Sequence, residues 1–159
     1  MDDICFLHAG IKNVKHGVNF KVVMPSNLYD CSFGDDCLVG TFVEVQKGAT
    51  VGSRTRIQSH SFICELVSIG EDCFIGHGVM FINDTFQIGG PAYGRRDLWK
   101  ETHIGNHVSI GSNCTILPVS ICDHVVIGAG SVVVHDIEKP GIYAGNPAKL
   151  LRLLPENNA

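Results

Sequence analysis

The chain lacks any apolar run approaching the roughly 20 residues that span a membrane. Its first ten residues carry Asp2 and Asp3 where an export signal would be basic. Both absences point to a soluble, cytoplasmic protein with no membrane insertion. Basic charge is also short, with 12 Lys and Arg against 16 Asp and Glu, a formal net charge of −4 and a pI near 6.0. Without a basic footprint, nucleic acid is not expected as a partner. No Gly-rich phosphate loop, paired-carboxylate site or Ser-His-Asp arrangement is visible, which leaves kinase, glycosidase and serine hydrolase readings without support. The seven cysteines include no CxxC pair. They read as small apolar residues in a reducing compartment rather than as disulfides or metal ligands.

What the chain does have is a period. From Phe33 to Phe81 an apolar residue returns every six positions, through Val39, Val45, Val51, Ile57, Ile63, Ile69 and Ile75. Two places before each stands a small or β-branched residue, among them Cys31, Cys37, Val43, Ala49, Thr55, Ser61, Val67, Cys73 and Val79. No α-helix repeats every six residues. Strand side chains alternate sides, so the bulky residue and the small one two before it share a face, and each unit reads as a short strand with one buried face. Glycine often follows the bulky residue, as at Gly34, Gly40, Gly52, Gly70 and Gly76, where it suits a bend or a close backbone approach. Three such strands close a coil of 18 residues, and stacked coils pile like residues into columns.

Taken in order, residues 1–21 show no clean repeat and are expected to cap the first coil, with the β-helix domain running over 22–154 and a frayed polar tail at 155–159. After Phe81 the next member is Ile104, 23 residues on where six would suffice. A loop over 83–101 is therefore expected to leave the coil. It holds the only Trp, Trp99, and interrupts an otherwise strict repeat, which favours a functional role.

The hexapeptide period resembles that of the left-handed parallel β-helix acyltransferases. GHGVMFIND, from Gly76 to Asp84, together with the loop after it, is similar to the motif of enzymes in this family that acylate an amino group on nucleotide-linked sugars. IGAGSVV at Ile127 to Val133 and GNPAK at Gly145 to Lys149 look like the ending shared across the family. The resemblance implies an all-β, left-handed parallel β-helix with one long protruding loop, in a homotrimer whose sites lie between subunits. It also implies transfer of an acetyl group from acetyl-CoA, as co-substrate and without a metal, to the amine of a nucleotide-linked amino sugar. A sugar hydroxyl as acceptor and a non-catalytic scaffold are the alternatives. Where such sugar enzymes often carry Pro-Arg shortly after Asn-Asp, this chain reads TFQIGGPAYGRR.

Acyl transfer from a thioester needs a proton acceptor near the attacking group, donors for the oxyanion and a carrier held beside the acceptor. His77, two after Ile75, and His60, three after Ile57, fall near one corner of successive coils and are expected within reach of each other as base or substrate contacts. Both are equally readable as members of a hydrogen-bonded corner column. Asn83 is implied by the resemblance to lie near the reacting amine and thioester. Asp84 either holds the sugar amine or caps a turn. Arg95, Arg96 and Trp99 would suit a nucleoside diphosphate, or form a solvated loop face. Gly128, Ala129, Lys149 and Arg152 are implied, by the shared ending, to lie along coenzyme A.

Overall fold

The computed structural model describes residues 10–154. They form a left-handed parallel β-helix of about seven turns, all-β apart from one short 3₁₀ turn, Arg96–Leu98. Three sheets make its faces. Sheet I stacks Ile11–Lys12, Asn27–Tyr29, Glu44–Val45, Phe62–Ile63, Met80–Phe81, Thr115–Ile116 and Val132–Val133. Sheet II stacks Lys15–His16, Ser32–Phe33, Thr50–Val51, Val67–Ile69, Thr102–Ile104 and Ser120–Ile121. Sheet III stacks Lys21–Val22, Leu38–Val39, Arg56–Ile57, Phe74–Ile75, Ser109–Ile110, Val125–Ile127 and Gly141–Ala144, all parallel, and ends on Lys149–Arg152, which returns antiparallel. No helix among the described residues is long and apolar enough to cross a membrane.

The register follows the period. Leu28, Val45 and Ile63 stack in sheet I, Phe33, Val51, Ile69, Ile104 and Ile121 in sheet II, and Val22, Val39, Ile57, Ile75, Ile110 and Ile127 in sheet III. From Leu28 to Val133 these side chains are buried and form one continuous core. The small inward positions do more than pack. Thr55 Oγ1 donates to Gly70 O at 2.9 Å, Ser61 Oγ to Gly76 O at 2.8 Å, and the thiols of Cys37, Cys73 and Cys114 each reach a glycine carbonyl of the next coil at 3.1 Å. A buried carbonyl left without a partner would be costly, so these positions favour a small donor.

The recurring glycines owe their place to close approach rather than to a bend. A Cβ on Gly76 would lie 2.7 Å from Ile110 O and Ser112 N in the next coil. The left-handed backbone falls two residues later, at Phe42, Arg54, Asp72, His107 and Asn113 among others.

The coils begin earlier than residue 22. Residues 11–22 are not a separate cap but a first coil, because Ile11 pairs with Leu28, His16 with Phe33 and Val22 with Val39. Among the described residues no further coil stacks on its outer side, and its inward positions are not all aliphatic. The rings of His16, Phe20 and Phe33 stack there in series, with centroids 5.3 and 4.6 Å apart. Residues 1–9 and 155–159, which hold the rest of the expected cap and the tail, lie outside the described residues. At the other end, Gly145–Ala148 is the turn that sends Lys149–Arg152 back along the last strand.

The three corners are unequal. Between sheets II and III, and between sheets III and I, the inward residues are always six apart, as in Ile69 to Ile75 to Phe81. The corner from sheet I to sheet II takes up every irregularity, being five residues from Leu28 to Phe33, six from Ile63 to Ile69, five from Ile116 to Ile121 and 23 from Phe81 to Ile104. The long loop therefore emerges where the coil already tolerates variation in length.

Candidate active site

The corner between sheets III and I carries a column one residue beyond each glycine-type position, made of Thr41, Ser59, His77, Ser112 and Ala129. His77 is held from both sides. Its ring Nδ1 is 2.8 Å from Ser59 Oγ in the coil before, and its backbone N–H donates to Ser112 Oγ, 3.2 Å away, in the coil after. The imidazole is exposed, and its Nε2 has no partner among the described residues. No hydrogen bond joins His60 to His77 among the described residues. The backbone of His60 turns through φ 65° and its ring lies on Phe42, with centroids 5.0 Å apart. The residue 18 before His77 is Ser59, and strict coil register gives Ser59 the contact expected of His60.

Asn83 sits across the fold from this column, at the root of the loop on the corner from sheet I to sheet II. Its side-chain amide donates to Glu65 O, 3.2 Å away, and its own carbonyl accepts from Lys100 N at 2.9 Å. One chain thus does not bring Asn83 and His77 together, since the strand Met80–Phe81 lies between their corners. Asp84 folds the loop, accepting from Phe86 N at 2.9 Å and Ala92 N at 2.7 Å. Turn capping, one of its two expected roles, accounts for both of its oxygens.

Both loop arginines are paired. Arg96 reaches Glu65, so the same residue that anchors Asn83 through its carbonyl holds the loop through its carboxylate. Arg95 pairs with Asp97 at 3.2 Å. Trp99 is half-buried and bridges Asp84, while Phe86, Ile88 and Tyr93 stand exposed. At the C-terminal end, Gly128 lies against Ala144 and Ala129 is exposed in the His77 column two coils on, with Lys149 and Arg152 exposed on the last strand.

Sequence reasoning did not single out Ser59, Ser112 or Glu65. The first two are one coil from His77 in the corner column, so the 18-residue spacing was the signal for Ser59. It also passed over His103, directly after the loop, whose Nδ1 is 2.8 Å from Ser68 Oγ and whose Nε2 is 3.1 Å from Glu101 Oε2. Burial pushes the Cys31 thiol up to about 11 and that of Cys64 up to about 12, so neither is a ready nucleophile. No group of three or more His, Cys, Asp or Glu among the described residues is arranged to hold a metal.

A triangular coil with strict six-residue faces, a glycine forced by coil-to-coil contact and a single loop let out at one corner defines the hexapeptide-repeat class of β-helix proteins. Residues 66–82 and 101–134 match the family described as the hexapeptide repeat of succinyl-transferase. Among curated relatives, a probable macrolide acetyltransferase of Lysinibacillus sphaericus is 36% identical over 113 residues, 58% of this chain and 63% of that protein. The bifunctional protein GlmU of Latilactobacillus sakei is 38% identical over 109 residues, 68% of this chain and 21% of that protein. The chain thus spans less than two thirds of either relative. Among solved structures, the N-acyltransferase AntD of Bacillus cereus, seen with dTDP and coenzyme A, superposes with a TM-score of 0.76 at 21% identity, over 89% of this chain and 84% of that one. PerB of Caulobacter crescentus, seen with CoA and GDP-perosamine, gives 0.64 at 18% identity over 86% and 57%. At these identities the structural likeness is one of fold. The chain carries hexapeptide repeats on a left-handed β-helix and is similar to these acetyl- and acyltransferases.

Proposed function

We propose that this protein transfers an acetyl group from acetyl-CoA to the amino group of a nucleotide-linked amino sugar. The observation that carries the reading is His77, exposed at a corner, clamped by its backbone and by Nδ1, with Nε2 open. In the reaction the amine nitrogen bonds to the thioester carbonyl carbon and Nε2 of His77 takes its proton. The C–S bond then breaks, and the proton passes to the departing thiolate to give free coenzyme A. Asn83 contributes its side-chain amide beside the acceptor or the thioester.

The corner column gives the carrier a path. Successive coils lie about 4.8 Å apart, so an extended arm with its thioester at His77 would run past Ser112, Gly128 and Ala129. Lys149 and Arg152, exposed near that end, would meet its phosphates. Because Asn83 and His77 lie on different corners, a complete site needs a second chain. Phe74 and Met80, 42% and 39% exposed on the two faces beside the His77 corner, support side-by-side packing in a homotrimer. In that arrangement the loop of one chain, with Asp84, Arg95, Arg96 and Trp99, would close over the corner of the next and receive the nucleotide. His60, one coil before His77, would line the same cleft.

A sugar hydroxyl is the second reading. It is favoured by His103, whose ring is held between Ser68 and Glu101 at the loop's return. One experiment separates the two: thiol release from acetyl-CoA across UDP-, dTDP- and GDP-linked amino sugars, beside their hydroxyl counterparts. Release with amino sugars alone supports N-acylation, and release with hydroxyl sugars alone overturns it. Silence throughout, with no coenzyme A binding by calorimetry, removes the transferase reading.

A further inference from the structure

We infer that Ser59 is the positioning residue of this site, accepting a hydrogen bond from Nδ1–H of His77 and so keeping the Nε2 lone pair turned outward. The inference rests on the reading above, in which His77 is the base.

The backbone around His77 is fixed by neighbours one coil away on each side. Gly78 N–H donates to Ser59 O at 3.0 Å, Asn113 N–H donates to His77 O at 2.8 Å, and His77 N–H donates to Ser112 Oγ at 3.2 Å. Only the side-chain torsions and the tautomer remain to be set, and the 2.8 Å contact with Ser59 Oγ orients the ring and ties the tautomer to the direction of that one bond. Which nitrogen of a histidine is protonated follows from the bond the other one makes. A serine hydroxyl can donate or accept, but the chemistry selects one direction. Once Nε2 has taken the acceptor's proton, both ring nitrogens carry hydrogen and Ser59 must be the acceptor. If Ser59 already accepts in the resting state, nothing rotates during transfer.

His16 also uses Nδ1, but toward the backbone oxygen of Gly17 at 2.9 Å rather than a side chain of a neighbouring coil. His103 has both nitrogens occupied, and His107 and His124 lie on each other, with ring centroids 4.8 Å apart and planes 7° from parallel. The two serines flanking His77 also divide the task, since Ser112 holds the main chain and Ser59 holds the ring.

Nitrogen-15 NMR of the imidazole rings, recorded on the intact protein above the titration range of histidine, tests the assignment without a substrate. His77 is expected as the Nδ1–H tautomer in the wild type and as the Nε2–H form, favoured by free imidazole, in Ser59→Ala. An Nε2–H ring in the wild type overturns the inference. In kinetics, Ser59→Ala is expected to lower kcat by about tenfold or more, with KM for acetyl-CoA within about twofold, and Ser59→Thr to restore most of the loss. Ser59→Asp would move the acid limb of the kcat/KM profile to higher pH, because a carboxylate beside the ring favours its charged form. If Ser59→Ala keeps wild-type kcat while His77→Ala is inactive, the positioning role falls and His77 stands as the base. If His77→Ala is fully active, the assignment of His77 itself falls.

Discussion

Asp84 and Trp99 face each other across the mouth of the loop as an isolated antiparallel bridge, so residues 85–98 leave and rejoin the coil through one closed neck. Asn83 stands immediately outside that neck, where its carbonyl accepts from Lys100 N at 2.9 Å. The loop is thus a closed excursion of the Ω kind, tied to the preceding coil by the pairing of Arg96 with Glu65.

Removing the Asp84 carboxylate should open the loop without unfolding the coils. Asp84→Ala strips the acceptor from Phe86 N and Ala92 N, and bonds to a charged group are each worth about 1.5–3 kcal/mol. Limited proteolysis within 85–98 is expected to accelerate, while the far-ultraviolet circular dichroism stays that of the wild type. Unchanged cleavage would show that the loop is held by other means.

Asn83→Ala is expected to lower turnover by about tenfold or more, the loss typical of one positioned transition-state donor being at least that large, with the assembly intact by sedimentation. The lost bond to Glu65 O, at 3.2 Å and half-buried, contributes only about 1 kcal/mol. Near-normal turnover would remove Asn83 from the mechanism.

Gly76→Ala should be among the most damaging single-methyl changes. The added Cβ would meet Ile110 O and Ser112 N at 2.7 Å, and both are backbone atoms that can move only by prising two coils apart. Gly48→Ala makes the contrast, because nothing lies within 4 Å there and only its φ of 78° resists the change. Thermal melts should show a markedly larger drop for Gly76→Ala; equal drops would mean that coil contact is not what demands the glycine.

Stability should fall in alkali through the buried thiols. Burial raises Cys64 from 9.0 to about 12 and Cys31 from 9.0 to about 11. A group whose pKa is raised on folding stabilises the fold fully below its unfolded value and loses that contribution as pH climbs through the folded one. The melting-temperature gap between wild type and Cys64→Ala is therefore expected to narrow as pH rises above 9. A gap that stays constant to pH 11 would show that the Cys64 thiol is not protected.

Much of this fold was legible because a coil contact is also a sequence interval. Val39, Ile57 and Ile75 stack because they are 18 apart, and the loop announced itself as 17 surplus residues between Phe81 and Ile104. The first coil was hidden because its inward place carries His16, where later coils of the same sheet carry Phe33, Val51 and Ile69. The site was less legible. His60 and His77 look like neighbours at 17 apart, yet Ser59 takes the contact, because one residue of register turns a side chain to another direction.

The sequence by itself determined the triangular coil, the inward residues and the place where the loop departs, since each is set by interactions between residues at a fixed spacing. Only the tertiary structure decided that Arg96 ties the loop to Glu65, that Asp84 serves the loop's own backbone, and that Asn83 and His77 occupy different corners. The loop's path follows no period. Its contacts arise from where the chain happens to return in space, and no interval along the chain encodes that.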